Sequence, residues 1–442
     1  MIIFIEVEIA GRELLSKILL SRALINKNNL VIISNRNNIH NLINKNKIKN
    51  SILITKDINP RHDLIKFYKY LKSNGFAIIS QDEEGGYLPN DYSIFTSMRH
   101  GKGEVLYIID YFLCWGKRDY NFLKRKFKSI SYKFINFGSP KLDAMKKNYK
   151  VNKNLLIKNK ITKKFILLSY NFTPFYYKPL TKGILDESTR LNKDFKKFAK
   201  KMFYSYGESA KLLYDFTELA DYLEKNQNKY QVVIRPHPNF NSEIFRKIVK
   251  NYNKNIIICS EGNLIEYIKN CSVLIQNSCS SAVDAVISKK QVISYKTKNK
   301  EFMHSPYINS LGIKCESNLE VLKIINSKKI KNKFNILNKR FNLENSLIKI
   351  NDLIKNLQIE NDKNKINLKF NKLGFKFVFK KIIFKFFPKK EGADYADHKY
   401  KDFNYKNIKR IVAQVNASKF NGLKNKIKFK IKSKNILVIN KL

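Results

Sequence analysis

The sequence has few acidic residues, few turn-forming residues and no long uncharged apolar run. It contains 36 Asp and Glu against 86 Lys and Arg, with 15 Gly and 9 Pro among 442 residues. No apolar run approaches the roughly 18 uncharged residues of a membrane-spanning helix, so any membrane contact is expected to be peripheral. Residues 1–10 include Glu6 and Glu8 and have no basic flank. They therefore predict a buried first strand rather than a secretion signal.

Cysteine is also scarce and irregularly spaced. The 5 cysteines are odd in number, and no two of them are separated by two residues. This spacing supports neither a disulfide framework nor a zinc site and favours a reducing, cytoplasmic compartment. Acidic residues do not recur in DxD form and the 6 histidines are scattered. We therefore expect no metal ion and no cofactor.

The formal net charge of +50 would ordinarily favour an anionic partner, such as nucleic acid or an acidic membrane. Lys, Asn and Ile are abundant even in turns and between domains, as a compositional bias of the whole sequence would produce. A nucleic-acid-binding protein should also carry a basic stripe with aromatic stacking positions, and residues 1–330 contain none. We therefore expect no nucleic-acid partner. A nucleic-acid-binding protein is the alternative, and only the net charge supports it.

Strand patterns alternate with helical patterns along most of the chain, which is typical of parallel sheets covered by helices. In the first third, strands are predicted at 2–7, 30–34, 51–54, 76–80, 107–109 and 134–137, with helices at 12–24, around 39 and at 63–74. Further along, strands are predicted at 165–169, 231–235, 256–259, 273–276 and 291–295, with helices at 194–225, 242–251, 263–270 and 280–288. This alternation of strands and helices thus occurs twice along the chain.

Two Rossmann-like halves joined by one linker predict an α/β fold of the GT-B type, in which two domains face each other across a cleft that holds a nucleotide donor. Other two-domain α/β folds share this rhythm. We place an acceptor domain at 1–155 and a nucleotide-donor domain at 160–330, because the periodicity is lost in between. Residues 331–442 are expected to form a basic C-terminal extension.

The extension contains a segment, Leu373–Lys390, in which lysines interleave with phenylalanines. It predicts either docking on anionic lipid or an accessory helix buried in the protein. Further on, Lys426–Lys432 alternates lysine with apolar residues, which predicts a strand with one polar face.

Three adjacent acids, Asp82, Glu83 and Glu84, follow the predicted strand that ends at Ser80, and Gly85–Gly86 come next. The carboxyl ends of parallel strands face the crevice where ligands bind. Neighbouring carboxylates repel one another, which can raise a pKa and prepare a group for acid or base catalysis. The three acids are therefore candidate catalytic residues for sugar transfer. A solvated acidic turn is the alternative.

Arg235, His237 and Pro238 follow the strand at 231–235 in a turn stiffened by two prolines. Arg and His can both donate hydrogen bonds to phosphate oxygens, so these residues are candidates for donor binding. A histidine with only a structural role is the alternative.

Asn277, Ser278, Ser280 and Ser281 follow the strand at 273–276 and precede a helix. Hydroxyls and backbone N–H groups at a helix start can bind an anion, which makes these residues donor-binding candidates as well. An ordinary N-cap would account for one serine.

Gly11 and Arg12 join the first strand to its helix. The GxGxxG pattern is missing there, so dinucleotide binding is not predicted. Arg12 is expected either to contact an acceptor or to cap the loop.

The motifs, in this order, resemble the D/E-D/E-G, His-Pro and Ser-Ser motifs of bacterial sialyltransferases, polysialyltransferases and Kdo transferases, and more closely the surface carbohydrate biosynthesis family. Ser139 and Lys141 depart from that family, which has Asn and Arg in the corresponding turn. Residues 397–400, Asp-His-Lys-Tyr, are similar to a further family segment without an assigned role. The matching stretches are Glu8–Leu15, Asp82–Gly86, Cys114–Gly116, Phe137–Asp143, Arg235–Pro238 and Asn277–Ala285.

The resemblance implies a GT-B glycosyltransferase of capsule, O-antigen or lipopolysaccharide biosynthesis that acts without a metal. It implies catalytic carboxylates at Glu83 and Glu84 with Asp82 as a competitor, a donor-phosphate histidine at His237, and a phosphate-binding pair at Ser280–Ser281.

The implied partners are a nucleotide-activated sugar, CMP-linked and similar to a nonulosonic acid or Kdo, a glycan or lipid-linked acceptor, and the inner-membrane surface. The protein is expected to be cytoplasmic and peripheral at that surface. A CDP-glycerol-type glycerophosphotransferase of teichoic-acid-like polymers and a non-catalytic scaffold at the membrane are the alternatives.

Overall fold

The computed structural model describes residues 1–83, 101–146, 149–151, 153–169, 195–236, 246–247, 249–251, 253–298, 305–327, 333–357, 368–369, 399–400, 402–420, 422–433 and 435–442. These residues divide into two compact units, Met1–Lys150 with Asn338–Leu442, and Val151–Leu337. Both units are built from a sheet and helices.

The strands of the described residues are β1 (Ile2–Glu6), β2 (Leu30–Ser34), β3 (Ile52–Thr55), β4 (Ala77–Ser80), β5 (Tyr111–Cys114), β6 (Phe134–Asn136), β7 (Phe165–Ser169), β8 (Gln231–Arg235), β9 (Ile257–Ile258), β10 (Val273–Gln276), β11 (Gln291–Tyr295), β12 (Ile313–Cys315), β13 (Ile427–Ser433) and β14 (Ile436–Lys441).

The helices are α1 (Ala10–Leu24), α2 (Arg36–Asn46), α3 (His62–Ser73), α4 (Glu104–Ile108), α5 (Lys117–Lys126), a 3-10 turn (Lys128–Lys133), α6 (Pro140–Met145), α7 (Asn154–Lys158), α8 (Phe195–Asn226), α9 (Leu264–Ile268), α10 (Ser281–Ile287), α11 (Pro306–Ser310), α12 (Asn318–Asn326), α13 (Phe334–Asn338), α14 (Ser346–Lys355) and α15 (Tyr405–Ala417).

The first unit contains an eight-stranded sheet in the order β13-β14-β2-β1-β3-β4-β5-β6. The six strands from the N-terminal part are parallel, whereas β14 runs antiparallel to β2 and β13 antiparallel to β14. Strand β1 is buried along its whole length because helices cover both faces of the sheet. The chain order reverses direction between β1 and β3, and in such sheets ligands bind beyond the carboxyl ends at this point.

The second unit contains a six-stranded parallel sheet in the order β12-β11-β10-β7-β8-β9. This is the Rossmann strand order, with the reversal between β7 and β10. Helix α8 packs Leu212, Phe216, Leu219 and Leu223 into the core cluster of this sheet. Their spacing of three or four residues forms the apolar stripe of a helix that lies on a sheet.

One predicted strand is wrong. Residues 107–109 were expected to be extended, but Glu104–Ile108 is helical and the strand is Tyr111–Cys114. Val105 and Leu106 of that helix and Ile109, directly after it, are buried. A short apolar run does not distinguish a buried helix from a buried strand, which explains the error.

The residues expected to form a basic C-terminal extension, 331–442, are described in part, and from Asn338 onward they belong to the first unit. Strands β13 and β14 complete the first sheet, where Leu437 lies opposite Ile33 and Ile439 opposite Val31. Helices α14 and α15 pack against α1. Segment 373–390, predicted to dock on lipid, lies outside the described residues. None of the helices in the described ranges is both long enough and apolar enough to cross a bilayer.

Candidate functional site

The acid predicted to be catalytic, Glu83, forms a buried ion pair with Lys17 of α1. The exposed side-chain fractions are 2% for Lys17 and 4% for Glu83. Sequence reasoning missed Lys17, although it stands among Leu14, Leu15 and Ile18 on a helix that is buried almost throughout. A charged residue in such a position needs a buried partner, and that requirement was the available signal.

The loop that carries these acids is anchored to the ends of the neighbouring strands. Gln81 Nε2 donates to the backbone oxygen of Gly138 at 2.7 Å, and the Trp115 indole donates to the backbone oxygen of Asp82. Asp82 is only 7% exposed. Asp82 and Glu83 are thus buried rather than part of a solvated turn, while Glu84 lies outside the described residues.

A second buried acid, Asp119 of α5, was not singled out from the sequence. Its carboxylate accepts hydrogen bonds from Arg118 Nε at 3.1 Å and Nη2 at 3.0 Å. Burial raises the pKa of Asp119 to about 6 even though Arg118 favours the charged form, and the nearby Asp82 adds to the rise. The carboxyl ends of β4 and β5 therefore bring together a group that titrates near neutral pH and a candidate catalytic acid.

We expect Asp119→Asn to remove a pH dependence of stability. The pKa of Asp119 is 3.8 without its environment and about 6 in the fold, so the folded chain retains a proton that the unfolded chain has released. Between about pH 4 and pH 6 this group makes stability fall as pH rises, by about 2 to 3 kcal/mol in total. Urea unfolding of both proteins from pH 4 to 7.5 measures it. A difference between them that does not change with pH would contradict the expectation.

The carboxyl ends of β1 and β3 carry a second set of charges, at the point where the strand order reverses. Arg36 contacts Glu6 at 2.9 Å and Asp57 at 2.7 Å, and Thr55 donates to Glu6. The Arg36 guanidinium outweighs burial and holds the pKa of Asp57 below its usual range. These charges are paired with one another, which stabilises the ends of both strands.

The predicted acceptor residues Gly11 and Arg12 lie beside this point. Arg12 Nη2 contacts Glu13 Oε1 at 3.2 Å, and the Glu8 backbone N–H donates to Glu13 Oε2 at 2.8 Å. A Cβ atom at Gly11 would lie 2.5 Å from Asp402 Oδ2, so the C-terminal segment covers this glycine. These contacts hold the loop together and lend no support to an acceptor role, which stays a prediction.

The C-terminal segment reaches this loop through two residues of the unassigned Asp-His-Lys-Tyr motif. Lys399 Nζ contacts Glu8 Oε1 at 2.6 Å, and the Tyr400 hydroxyl donates to the Val7 backbone oxygen at 3.2 Å. Although burial opposes it, Lys56 and Lys399 together lower the pKa of Glu8 to about 2. The described half of the motif therefore fastens the C-terminal segment to the turn between β1 and α1.

The turn with the family departures, Ser139 and Lys141, caps helix α6. The Ser139 side chain accepts a hydrogen bond from the Lys141 backbone N–H at 3.3 Å. In the same helix, Asp143 accepts from Ser346 Oγ at 2.5 Å and from the Leu347 N–H at 3.1 Å. The geometry gives this stretch a structural role in holding the start of α14.

In the second unit, Arg235 holds the loop that follows β9. Its guanidinium donates to the backbone oxygens of Glu261 and Gly262, each at 2.6 Å, and lies 4.8 Å from the centre of the Tyr267 ring. These bonds favour a structural role over the predicted donor contact. His237 and Pro238 lie outside the described residues.

The predicted donor loop after β10 is held at its start. Asn277 Nδ2 donates to the Tyr295 and Lys296 backbone oxygens at 2.9 and 2.8 Å. Ser278 has a φ of 49° and is locked to Asn309: its N–H donates to Asn309 Oδ1 at 2.7 Å, and its hydroxyl accepts from Asn309 Nδ2 at 3.1 Å. The Ser278 hydroxyl is thus engaged in hydrogen bonds within the fold.

The second half of this loop leaves polar atoms available. Ser280 is the N-cap of α10 and makes no side-chain cap bond. Within the described residues, Ser281 Oγ and Asn277 Oδ1 are buried and have no hydrogen-bond partner. Ser169 at the end of β7 contacts Cys279 Sγ at 3.3 Å. Ser280 and Ser281 therefore lie where the strand order reverses and remain the better donor candidates.

No group of three or more His, Cys, Asp or Glu that could hold a metal ion occurs within the described ranges. The cysteines are all free and buried. Metal-independent chemistry stays a prediction.

No protein-family model matches the chain, and no curated protein matches it in sequence. Among solved structures, a histidine variant of the wall teichoic acid polymerase TagF is similar with a TM-score of 0.51 at 13% identity, over 80% of this chain and 88% of that chain. A second TagF variant gives 0.50 at 12% identity over the same shares. UDP-GlcNAc 2-epimerase from Methanocaldococcus jannaschii, in complex with UDP-GlcNAc and UDP, gives 0.49 at 15% identity, over 80% of this chain and 99% of that chain.

At this identity the TagF likeness shows the fold. Together with the two strand orders, it means that the chain has the predicted GT-B fold, with two Rossmann-like α/β domains.

Proposed function

We propose that the chain is a glycosyltransferase of surface polysaccharide biosynthesis that transfers a sugar from a nucleotide donor, CMP-linked and similar to a nonulosonic acid or Kdo. The observation that carries this proposal is the position of the Asn277–Ser281 loop, directly after β10 and beside the strand-order reversal of a Rossmann sheet. In such sheets this position receives nucleotides. The GT-B fold and the order of the motifs support the same conclusion.

The acids of the first unit divide into two roles in this proposal. Glu83 is held by its buried contact with Lys17, so in this proposal it anchors the loop. Proton transfer from the acceptor hydroxyl then falls to Glu84 or Asp82. Ser280 and Ser281 would donate hydrogen bonds to the donor phosphate, with His237 as a further donor.

A substitution series separates these roles. We expect Glu84→Gln to lower sugar transfer by at least about 100-fold, the usual contribution of a general base, and to leave stability unchanged. Glu83→Gln should lower the stability of the fold, and Asp63→Asn, a change of an exposed acid, should alter neither property. Activity and urea unfolding are measured on the same preparations. Full activity of both Glu84→Gln and Asp82→Asn would contradict a catalytic role for this loop. Absence of transfer by the wild-type chain itself would favour a non-catalytic scaffold.

The released nucleotide tests the donor. The purified chain is incubated with a CMP-sugar, CDP-glycerol or UDP-GlcNAc and a polysaccharide acceptor, and both the nucleotide and the group added to the acceptor are measured. We expect CMP together with a new glycosidic bond. Transfer of glycerol phosphate with release of CMP would establish the second candidate, a glycerophosphotransferase, which the fold shared with the teichoic acid polymerase favours. Transfer from UDP-GlcNAc would contradict the cytidine donor.

A further inference from the structure

The last forty residues of the chain carry no acidic side chain. Residues 403–442 contain ten lysines and one arginine but no Asp or Glu. The rest of the chain mixes the two signs, and its described acids are repeatedly paired with neighbouring cations. A stretch without its own counter-charges has a concentrated positive field, which attracts an anionic partner.

The structure places part of this charge along one edge of the first sheet. Among the described strands, β13 pairs only with β14, and it is the outermost strand. Lys428, Lys430 and Lys432 alternate along it and are exposed. Lysines on an edge strand discourage pairing with other chains, so these three alone would have a structural explanation.

The basic surface extends beyond that strand. Lys406 and Lys409 are exposed on α15, and Lys419, Lys424 and Lys426 are exposed in the connection to β13. Protection of a strand edge does not require charges on a helix and a loop. We call the exposed lysines of α15, this connection and β13 the basic edge.

Apolar side chains lie within the basic edge. Tyr405 is 61% exposed and Ile431 37% exposed. The Tyr405 ring packs 5.5 Å from the ring of Phe429, which shares the Ile431 face of β13. Lys428, Lys430 and Lys432 lie on the opposite face of β13, so the outer edge of this strand has lysines on one side and exposed apolar groups on the other. Lysines next to an exposed tyrosine and aliphatic group are a combination that binds the interface of an anionic bilayer, where the apolar groups insert among the headgroups.

We propose that the basic edge docks on the surface of an anionic phospholipid bilayer. Lysine is a compact charge on a flexible stem and suits a diffuse anionic surface, whereas nucleic-acid phosphates are more often held by the planar fork of arginine. The exposed Tyr405 and Ile431 favour the bilayer as well, because apolar groups can insert among its headgroups. This inference concerns the described residues 405–432, which follow the segment Leu373–Lys390 in the chain, and does not depend on the proposed activity.

Vesicle binding of the full chain tests the proposal. The variant is Lys428→Gln, Lys430→Gln and Lys432→Gln together, and the vesicles contain phosphatidylglycerol in phosphatidylcholine. From the usual contribution of a lysine near an anionic surface, we expect affinity to fall by about 100-fold. Tyr405→Ser should lower the affinity by a smaller factor. Salt at about 0.5 M should release the wild-type chain from the vesicles, because it screens the charges.

The matched control changes three exposed lysines elsewhere on the same unit, Lys49→Gln, Lys66→Gln and Lys69→Gln. It alters the net charge equally and should leave vesicle affinity within about twofold of the wild type. Equal losses in the two triple variants would overturn the proposal, because they would reflect net charge alone. The proposal would also be overturned if the wild-type chain did not bind anionic vesicles. It would be overturned as well if the variant at Lys428, Lys430 and Lys432 lost binding to single-stranded RNA but not to the vesicles.

Discussion

Replacing Lys17 with methionine is expected to destabilise the folded chain by about 3 to 5 kcal/mol, since it leaves the Glu83 carboxylate buried without its partner. Both side chains are at most 4% exposed, so water cannot replace the lost contact. Methionine fills a similar volume, which keeps the loss of packing small. Urea unfolding at neutral pH measures the change in the free energy of unfolding.

The double variant Lys17→Met with Glu83→Leu distinguishes charge from packing. Replacing both members of a buried ion pair with apolar groups is often neutral or stabilising, so the double variant should recover most of the loss. Lys66→Met, which changes an exposed lysine, should stay within about 0.5 kcal/mol of the wild type. A single variant as stable as Lys66→Met would show that Glu83 is not buried against Lys17.

This pair also affects how activity measurements are interpreted. A loss of transfer in Glu83→Gln could arise from a disturbed fold as well as from lost chemistry, because the same change leaves Lys17 without a charged partner. Asp82 and Glu84 are the better tests of proton transfer. A pH profile that keeps its shape in Glu83→Gln would support an anchoring role.

Continuous apolar runs account for the parts of the fold that could be predicted. The predicted bounds of β7, β8, β10 and β11 match the structure, because each strand is buried on both faces and ends where polar residues begin. Residues 107–109 were misassigned because local apolarity did not distinguish helix from strand. The pairing of β14 with β2 joins segments about 400 residues apart, and no local pattern specifies such a contact.

The candidate site shows the same division. Asp82, Glu83 and the Asn277–Ser281 loop lie at carboxyl ends of strands, as the alternation of strands and loops predicts. Their partners come from distant parts of the chain: Lys17 lies 66 positions before Glu83. Which acidic side chain pairs with which basic side chain depends on tertiary packing. The sequence therefore predicted where the loops lie but not the ion pairs.

Arg22→Met is expected to release the C-terminal segment and to lower stability by about 4 kcal/mol, since hydrogen bonds to a charged group are among the stronger ones. Arg22 is 5% exposed and lies in the last turn of α1. It donates to three backbone oxygens: from Nε to that of Asn425 at 2.7 Å, from Nη1 to that of Ser418 at 2.8 Å, and from Nη2 to that of Leu423 at 3.0 Å. Methionine cannot donate, so these buried oxygens would lose their partner.

Limited trypsin digestion reports the release directly. Lys419, Lys424 and Lys426 lie in the connection between α15 and β13, and cleavage there needs this connection to leave the surface of α1. Arg22→Met should be cut there much faster than the wild type, while Arg125→Met, a change of an exposed arginine, should not. Arg22→Lys keeps the charge but has fewer donors in a fixed fork, so it should fall between the two. Equal digestion of Arg22→Met and Arg125→Met would mean that strands β13 and β14 hold the C-terminal segment without Arg22.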